Sequence, residues 1–172
     1  MRCATGGSVS SGLDVTRAAQ ILEAAKRQGK MLSTAESCTG GMIAAALTEI
    51  AGSSAVFERG FVTYTNDAKQ QMLGVQLETL QAFGAVSEDV AREMAEGALA
   101  HSNAQLSLSV TGIAGPGPSE FKPEGRVCFA IAYAGSTHAE TVEFGALGRA
   151  NVREAARDHG LQMILNALSQ PA

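Results

Sequence analysis

The sequence predicts an α/β sandwich built on a mixed sheet, and three observations carry that prediction. Runs with apolar residues at helical spacing alternate along the chain with short β-branched or alternating runs, as expected of strands and helices packed in layers. The last two strand-like runs follow one another with only a turn between them, so the sheet is not purely parallel. No internal repeat or linker-like stretch divides the 172 residues, a length that suits one domain with a substantial core.

Met1 to Ser8 begins a stretch read as a flexible tail over residues 1–13, with one domain over 14–172. From Asp14 to Gly29, Val15, Ala18, Ala19, Leu22 and Ala25 fall at helical spacing; Asp14 is the expected N-cap and Gly29 the stop. Met31 to Ala35 reads as a short strand leading into Glu36-Ser37-Cys38-Thr39-Gly40-Gly41, a turn into a helix that ends near Ala51 to Ser54. The β-branched and aromatic content from Phe57 to Tyr64 predicts a strand. Asn66-Asp67 is expected to cap a short helix over Ala68 to Leu73, and Leu77 to Phe83 forms another; each is stopped by a glycine. Ser87 is the expected N-cap of a longer helix to about His101, with acids in its first turn. Leu106 to Thr111 alternates as a strand does and runs into the loop Gly112 to Pro118. Gly125 to Tyr133 and Thr137 to Phe144 make a hairpin, and Arg149 to Leu168 a terminal helix.

Composition narrows the function. With a net charge of −4, a pI near 5.4 and no basic stripe, the chain is not expected to bind nucleic acid. No apolar run approaches the roughly 20 residues of a membrane span, and no signal-peptide core opens the chain. Cys3, Cys38 and Cys128 are scattered, fit no metal site or disulfide framework, and suggest a reducing, cytoplasmic setting.

The turn after the first strand carries the densest chemistry. A strand-to-helix turn presents N–H groups that attract anions, and Gly40 and Gly41 admit a ligand close to the backbone. Ser37 is the first candidate nucleophile, although a serine on a turn is ordinarily only a cap. Thr39 is the expected N-cap of the helix, or a phosphate or carbonyl contact. Glu36 can orient a hydroxyl or a lysine, or act as a helix-dipole partner. Cys38 is a rival nucleophile, read here as buried and inert because none of His101, His138 and His159 stands in an activating context. Lys69, at a strand end followed by a helix start, becomes a base for Ser37 if desolvation makes it neutral; a solvated surface lysine is the ordinary alternative. Tyr64 can hold the serine or the leaving group. The run Thr111-Gly112-Ile113-Ala114-Gly115-Pro116 follows a strand and reaches the same sheet edge as Ser37 if the strands are parallel; it forms an anion nest or a plain tight loop. Arg149 and Arg153 share a helix face and either reach a phosphate or stay solvated.

Taken in order, Thr34 to Gly41, Gly52-Ser53-Ser54, Phe57 to Tyr64, Asn66, Lys69, Gly84 to Ser87 and Gly112 to Pro116 resemble the C-terminal domain of the competence/damage-inducible CinA proteins, over about Asp14 to Leu168. Stand-alone members of that family are nicotinamide-nucleotide amidohydrolases. The resemblance implies a three-layer α/β/α sandwich and hydrolysis of nicotinamide mononucleotide (NMN) to nicotinic acid mononucleotide and ammonia, in pyridine-nucleotide recycling. It implies a serine–lysine site on Ser37 and Lys69, assisted by Tyr64. Substrate contacts fall on Glu36, Thr39, Gly40, Gly41, Thr111, Gly112, Ile113, Ala114, Gly115 and Arg149. It implies no metal and no cofactor, and as partner the small nucleotide; a homo-oligomer is expected on the general ground that small enzymes commonly pair as symmetric dimers. A family member that binds nucleotide without turnover, or one that hydrolyses another amide, are the competing readings; Ser37 and Lys69 together favour the enzyme. Gly117 to Arg126 replaces a more glycine-rich connection into a Pro-Val-Gly-Thr-like strand start, and Gly148 stands where an acidic residue is common. The N-terminal domain of two-domain members has no counterpart in this sequence, so none of its activity on dinucleotides is expected.

Overall fold

Five strands form one sheet in the order β2-β1-β3-β4-β5. They are β1 (Leu32–Glu36), β2 (Phe57–Val62), β3 (Leu106–Gly112), β4 (Arg126–Tyr133) and β5 (Ser136–Glu143). The computed structural model describes residues 10–119 and 121–170. β1 pairs in parallel with β2 and β3, whereas β4 is antiparallel to β3 and β5 to β4, so the sheet is mixed as predicted. Among the described residues six α-helices cover it: α1 (Ser10–Gln28), α2 (Met42–Thr48), α3 (Asn66–Leu73), α4 (Leu77–Phe83), α5 (Glu88–Ala100) and α6 (Arg149–Ser169). α1, α2 and α6 pack together on one face, and α5 crosses the other with α3 and α4 against it. The result is the three-layer α/β/α arrangement. Among the described residues no helix is long and apolar enough to cross a membrane.

Each face of the sheet has its own core. Ile21, Leu22, Ile43, Leu108, Val110, Phe129, Leu161 and Ile164 fill the α1/α2/α6 side. Leu73, Leu80, Val90 and Met94, with Ala91, Ala95 and Ala130, fill the α5 side. The alternation along β3 is not a solvent pattern, because Ser107, Ser109 and Thr111 are as buried as Leu106, Leu108 and Val110. Their hydroxyls donate to Ala95 O (2.6 Å), Ala91 O (2.6 Å) and Ala85 O (2.8 Å) on and before α5. Short hydroxylated side chains thus let a helix settle close to the central strand while satisfying their own polar atoms. α3 and α5 meet as closely at Gly97, where a Cβ would lie 2.0 Å from Leu73 O.

Element ends differ from the expectations in instructive ways. α1 starts at Ser10, so Asp14 lies within the helix and is not its N-cap. Residues 10–13 of the expected tail therefore belong to α1, while residues 1–9 lie outside the described residues. α3 starts at Asn66, and its cap is the extended Thr65, whose hydroxyl accepts from Ala68 N at 3.1 Å. Ser87 caps α5 as predicted, accepting from Val90 N at 3.2 Å.

Candidate active site

Parallel pairing of β1 with β2 and β3 brings three C-terminal strand ends to one edge of the sheet. Ser37 follows β1 directly, Thr63 and Tyr64 follow β2, and the Ile113 to Pro116 turn follows β3. Ladder-like bonds carry the strands into these turns: Ser37 N donates to Val110 O and Thr63 N to Glu36 O, both at 2.9 Å. Loops at this edge of an α/β sheet are the usual place for a ligand site.

Lys69 lies in the second turn of α3 and points back under the sheet edge, where it is the largest fully buried side chain at 1% exposure. Its Nζ lies 3.1 Å from Ser37 Oγ and donates to Thr63 O at 2.9 Å. Burial is what pushes its pKa down from 10.5 to about 8. A carbonyl holding one hydrogen of the amine and a serine at its other side is the arrangement a neutral lysine base requires. Thr63 was not legible in the sequence because it contributes through its backbone.

At the start of α2 Glu36 takes the helix-dipole role that was one of its expected readings, and Thr39 donates to it. The buried Glu36 carboxylate accepts from Gly41 N (3.1 Å), Ile43 N (3.1 Å), Ala44 N (2.8 Å) and the Thr39 hydroxyl (2.7 Å). Gly41, at φ 100°, is the N-cap residue of α2, so Thr39 is not. The anion at this helix start is therefore the protein's own carboxylate, supplied from the end of β1. Arg153 is not aimed at a ligand either: its Nε donates to Cys38 O (3.1 Å) and its Nη2 to Thr39 O (3.3 Å), bracing the nucleophile turn. Cys38 is 4% exposed, and burial, aided by the negative Glu36, pushes its thiol up to about 12. It is held as a protonated thiol.

In front of Ser37 lies a cleft of about 750 Å³, walled by Lys69, Tyr64, Thr111 to Ala114 and Arg149, with Phe83 and Phe121 on its rim. Arg149 spans the mouth, donating from Nη2 to the Tyr64 hydroxyl (2.6 Å) and from Nη1 to Gly115 O (2.8 Å). Thr111 is itself tied to the α4–α5 connection through Ala85 O. Gly112 is required by β4, since a Cβ there would lie 2.7 Å from Val127 Cγ2. Among the described residues no histidine lines the cleft. The loop after β3 closes its own neck, with Ile113 N donating to Arg126 O (2.9 Å) and Gly125 N to Ile113 O (2.8 Å). Sequence reasoning passed over two of its residues. Lys122 Nζ donates to Phe83 O (2.7 Å) and also reaches Val86 O, fastening the loop to the opposite rim. Glu124 accepts from Gly117 N and Gly148 N. Both lie in a stretch whose composition signals only a loop.

So Ser37, Lys69, Tyr64, Thr111, Gly112, Ile113, Ala114 and Arg149 line one cleft, with Gly115 joined to it through Arg149. Glu36 and Thr39 stand behind it as buried supports.

Comparison with known proteins places the chain in a family. The model of the CinA C-terminal domain matches residues 14–168. Nicotinamide-nucleotide amidohydrolase PncC of Escherichia coli K12 is 51% identical over 146 residues, which are 84% of this chain and 88% of that protein. The crystal structure of competence/damage inducible protein CihA from Agrobacterium tumefaciens superposes with a TM-score of 0.87 at 50% identity, covering 99% of this chain and 100% of that one. The competence damage-inducible protein A from Klebsiella pneumoniae superposes with a TM-score of 0.89 at 36% identity, covering 92% and 99%. A family model matching almost the whole chain, close relatives over most of their own length and a shared fold lead to one conclusion: the chain belongs to the CinA C-terminal domain family.

Proposed function

We propose that this protein hydrolyses the carboxamide of NMN to nicotinic acid mononucleotide and ammonia, with Ser37 as nucleophile and Lys69 as its base. The observation that carries the reading is the buried pair itself, Ser37 Oγ 3.1 Å from a Lys69 amine whose pKa is pushed down to about 8. The relative named as a nicotinamide-nucleotide amidohydrolase, 51% identical over 84% of the chain, supports the choice of amide.

Neutral Lys69 takes the Ser37 hydroxyl proton as Oγ bonds to the carboxamide carbon. Backbone N–H groups following Ser37 in the turn receive the oxyanion. Lys69 returns its proton to the amide nitrogen, the C–N bond breaks and ammonia leaves. Water then gives a proton to Lys69, attacks the ester carbon, and Ser37 departs with that proton. The cationic pyridinium ring makes the carbonyl carbon more electrophilic. Arg149, at the cleft mouth, is the group for the nucleotide phosphate.

Ammonia release from NMN, measured beside Ser37→Ala and Lys69→Ala with folding checked by circular dichroism, tests the reading. Activity in the parent and its loss in both variants is the expected result. Binding of NMN without ammonia release identifies a nucleotide-binding module instead. Activity surviving in Ser37→Ala sinks the serine assignment and turns attention to Cys38.

A further inference from the structure

Glu124 joins the two segments that flank Arg149. Its Oε2 accepts from Gly117 N at 2.6 Å and its Oε1 from Gly148 N at 2.9 Å. Gly148 immediately precedes Arg149 at the start of α6. Gly117 follows the Gly115–Pro116 pair, and Gly115 O accepts from Arg149 Nη1 at 2.8 Å. The approach is tight, since a Cβ on Gly115 would lie 2.5 Å from Glu124 Cδ. These contacts close a ring from Arg149 to Gly115, through Pro116 and Gly117 to Glu124, and back through Gly148. From this ring the other terminal nitrogen of Arg149 reaches the Tyr64 hydroxyl at 2.6 Å across the cleft. A carboxylate beside the first turn of the 21-residue α6 also opposes the positive end of the helix dipole.

We propose that Glu124 is a positioning residue that sets the direction of Arg149, and through it the preference for a phosphorylated over a dephosphorylated substrate. The proposal rests on reading the cleft as an NMN amidohydrolase site. An arginine recognises phosphate through two N–H groups in a fixed plane, so its value depends on direction as well as charge. Without Glu124 the loop and the helix start lose their shared acceptor, and Arg149 keeps its charge but not its aim. Glu124 makes no hydrogen bond to Ser37 or Lys69, so the chemical step is left as it was.

The test is steady-state ammonia release from NMN and from its dephosphorylated riboside by the parent, Glu124→Ala and Glu124→Gln. Glu124→Ala is expected to raise KM for NMN roughly tenfold, hold kcat within about twofold and leave the riboside KM unmoved. Glu124→Gln, which keeps one acceptor oxygen, falls between. A KM that rises equally for both substrates, or a kcat that falls for both together with the unfolding temperature, makes Glu124 a mere fastener and overturns the proposal. An unchanged KM for NMN in Glu124→Ala overturns it as well. A parent that releases no ammonia from NMN defeats the activity reading alone. The calorimetric Kd for NMN in parent and Glu124→Ala then makes the same comparison: roughly tenfold weaker binding supports the positioning role, and equal binding overturns it.

Discussion

Replacing Lys69 by methionine should abolish activity and yet make the protein more stable at neutral pH. Lys69 is 1% exposed, and its pKa is lowered from 10.5 to about 8 by burial. Holding the amine charged in the folded chain therefore costs about 3 kcal/mol relative to the unfolded chain, at about 1.4 kcal/mol per pKa unit. Against this, methionine leaves Thr63 O and Ser37 Oγ without the amine, at a cost of about 1–2 kcal/mol because Ser37 faces the cleft. The net gain at pH 7 is about 1–2 kcal/mol. The pH dependence is sharper than the net value. Below pH 8 both states of the parent carry the proton and the penalty is constant. Between pH 8 and 10.5 the unfolded chain binds more protons than the folded one, so the parent gains stability as pH rises. The methionine variant lacks this group, and its advantage should shrink by about 2–3 kcal/mol between pH 7 and 10. Urea unfolding of both proteins at the two pH values measures the change, with other titrating groups cancelling in the difference. An advantage that stays constant with pH would mean that the folded protein does not desolvate the lysine, and the neutral-base mechanism would lose its footing.

Three further outcomes follow from the same contacts. The kcat/KM for NMN should rise about tenfold per pH unit below 8 and level off above it, as the free enzyme's Lys69 loses its proton; a profile flat from pH 6 to 9 refutes the assignment. Glu36→Gln presents an amide to the N–H groups of Gly41, Ile43 and Ala44, and should cost about 1–3 kcal/mol in urea unfolding while lowering kcat through the displaced turn. Gly97→Ala drives a methyl group into Leu73 O, so α3 must move away from α5; a loss of about 1–3 kcal/mol should come with a fall in kcat, because α3 carries Lys69.

The pairing of Ser37 with Lys69 was legible because each stands at a strand end that its own neighbourhood marks: Ser37 before two glycines, Lys69 just beyond a β-branched and aromatic run. The supports were less legible because they act over distances that local rules do not span. Capping rules look for a side chain one to three residues before a helix and so favoured Thr39, but the chain doubles back at Gly40 and Gly41 and delivers Glu36 to N–H groups up to eight residues ahead. Arg153 was open between a phosphate contact and a solvated side chain, and only the packing of α6 against the turn brings it onto the carbonyls of Cys38 and Thr39. The serines of β3 looked polar and proved to be spacers, a role set by a helix more than ten residues earlier in the chain. The α/β sandwich and the mixed sheet needed no such long-range knowledge, because they follow from element order and from one hairpin.

The pinched neck between Ile113 and Gly125 separates what evolution must keep from what it can change. Because the loop leaves β3 and re-enters at β4 through neighbouring residues, its sequence and length can drift between Ala114 and Glu124 without altering the pairing of either strand. Ser37 and Lys69 sit on the other side of that closure, just after β1 and on α3. Duplicated copies of such a gene can therefore diverge in the amides they accept while inheriting an unaltered catalytic floor. For the engineer, a library confined to this loop explores substrate range at little risk to folding.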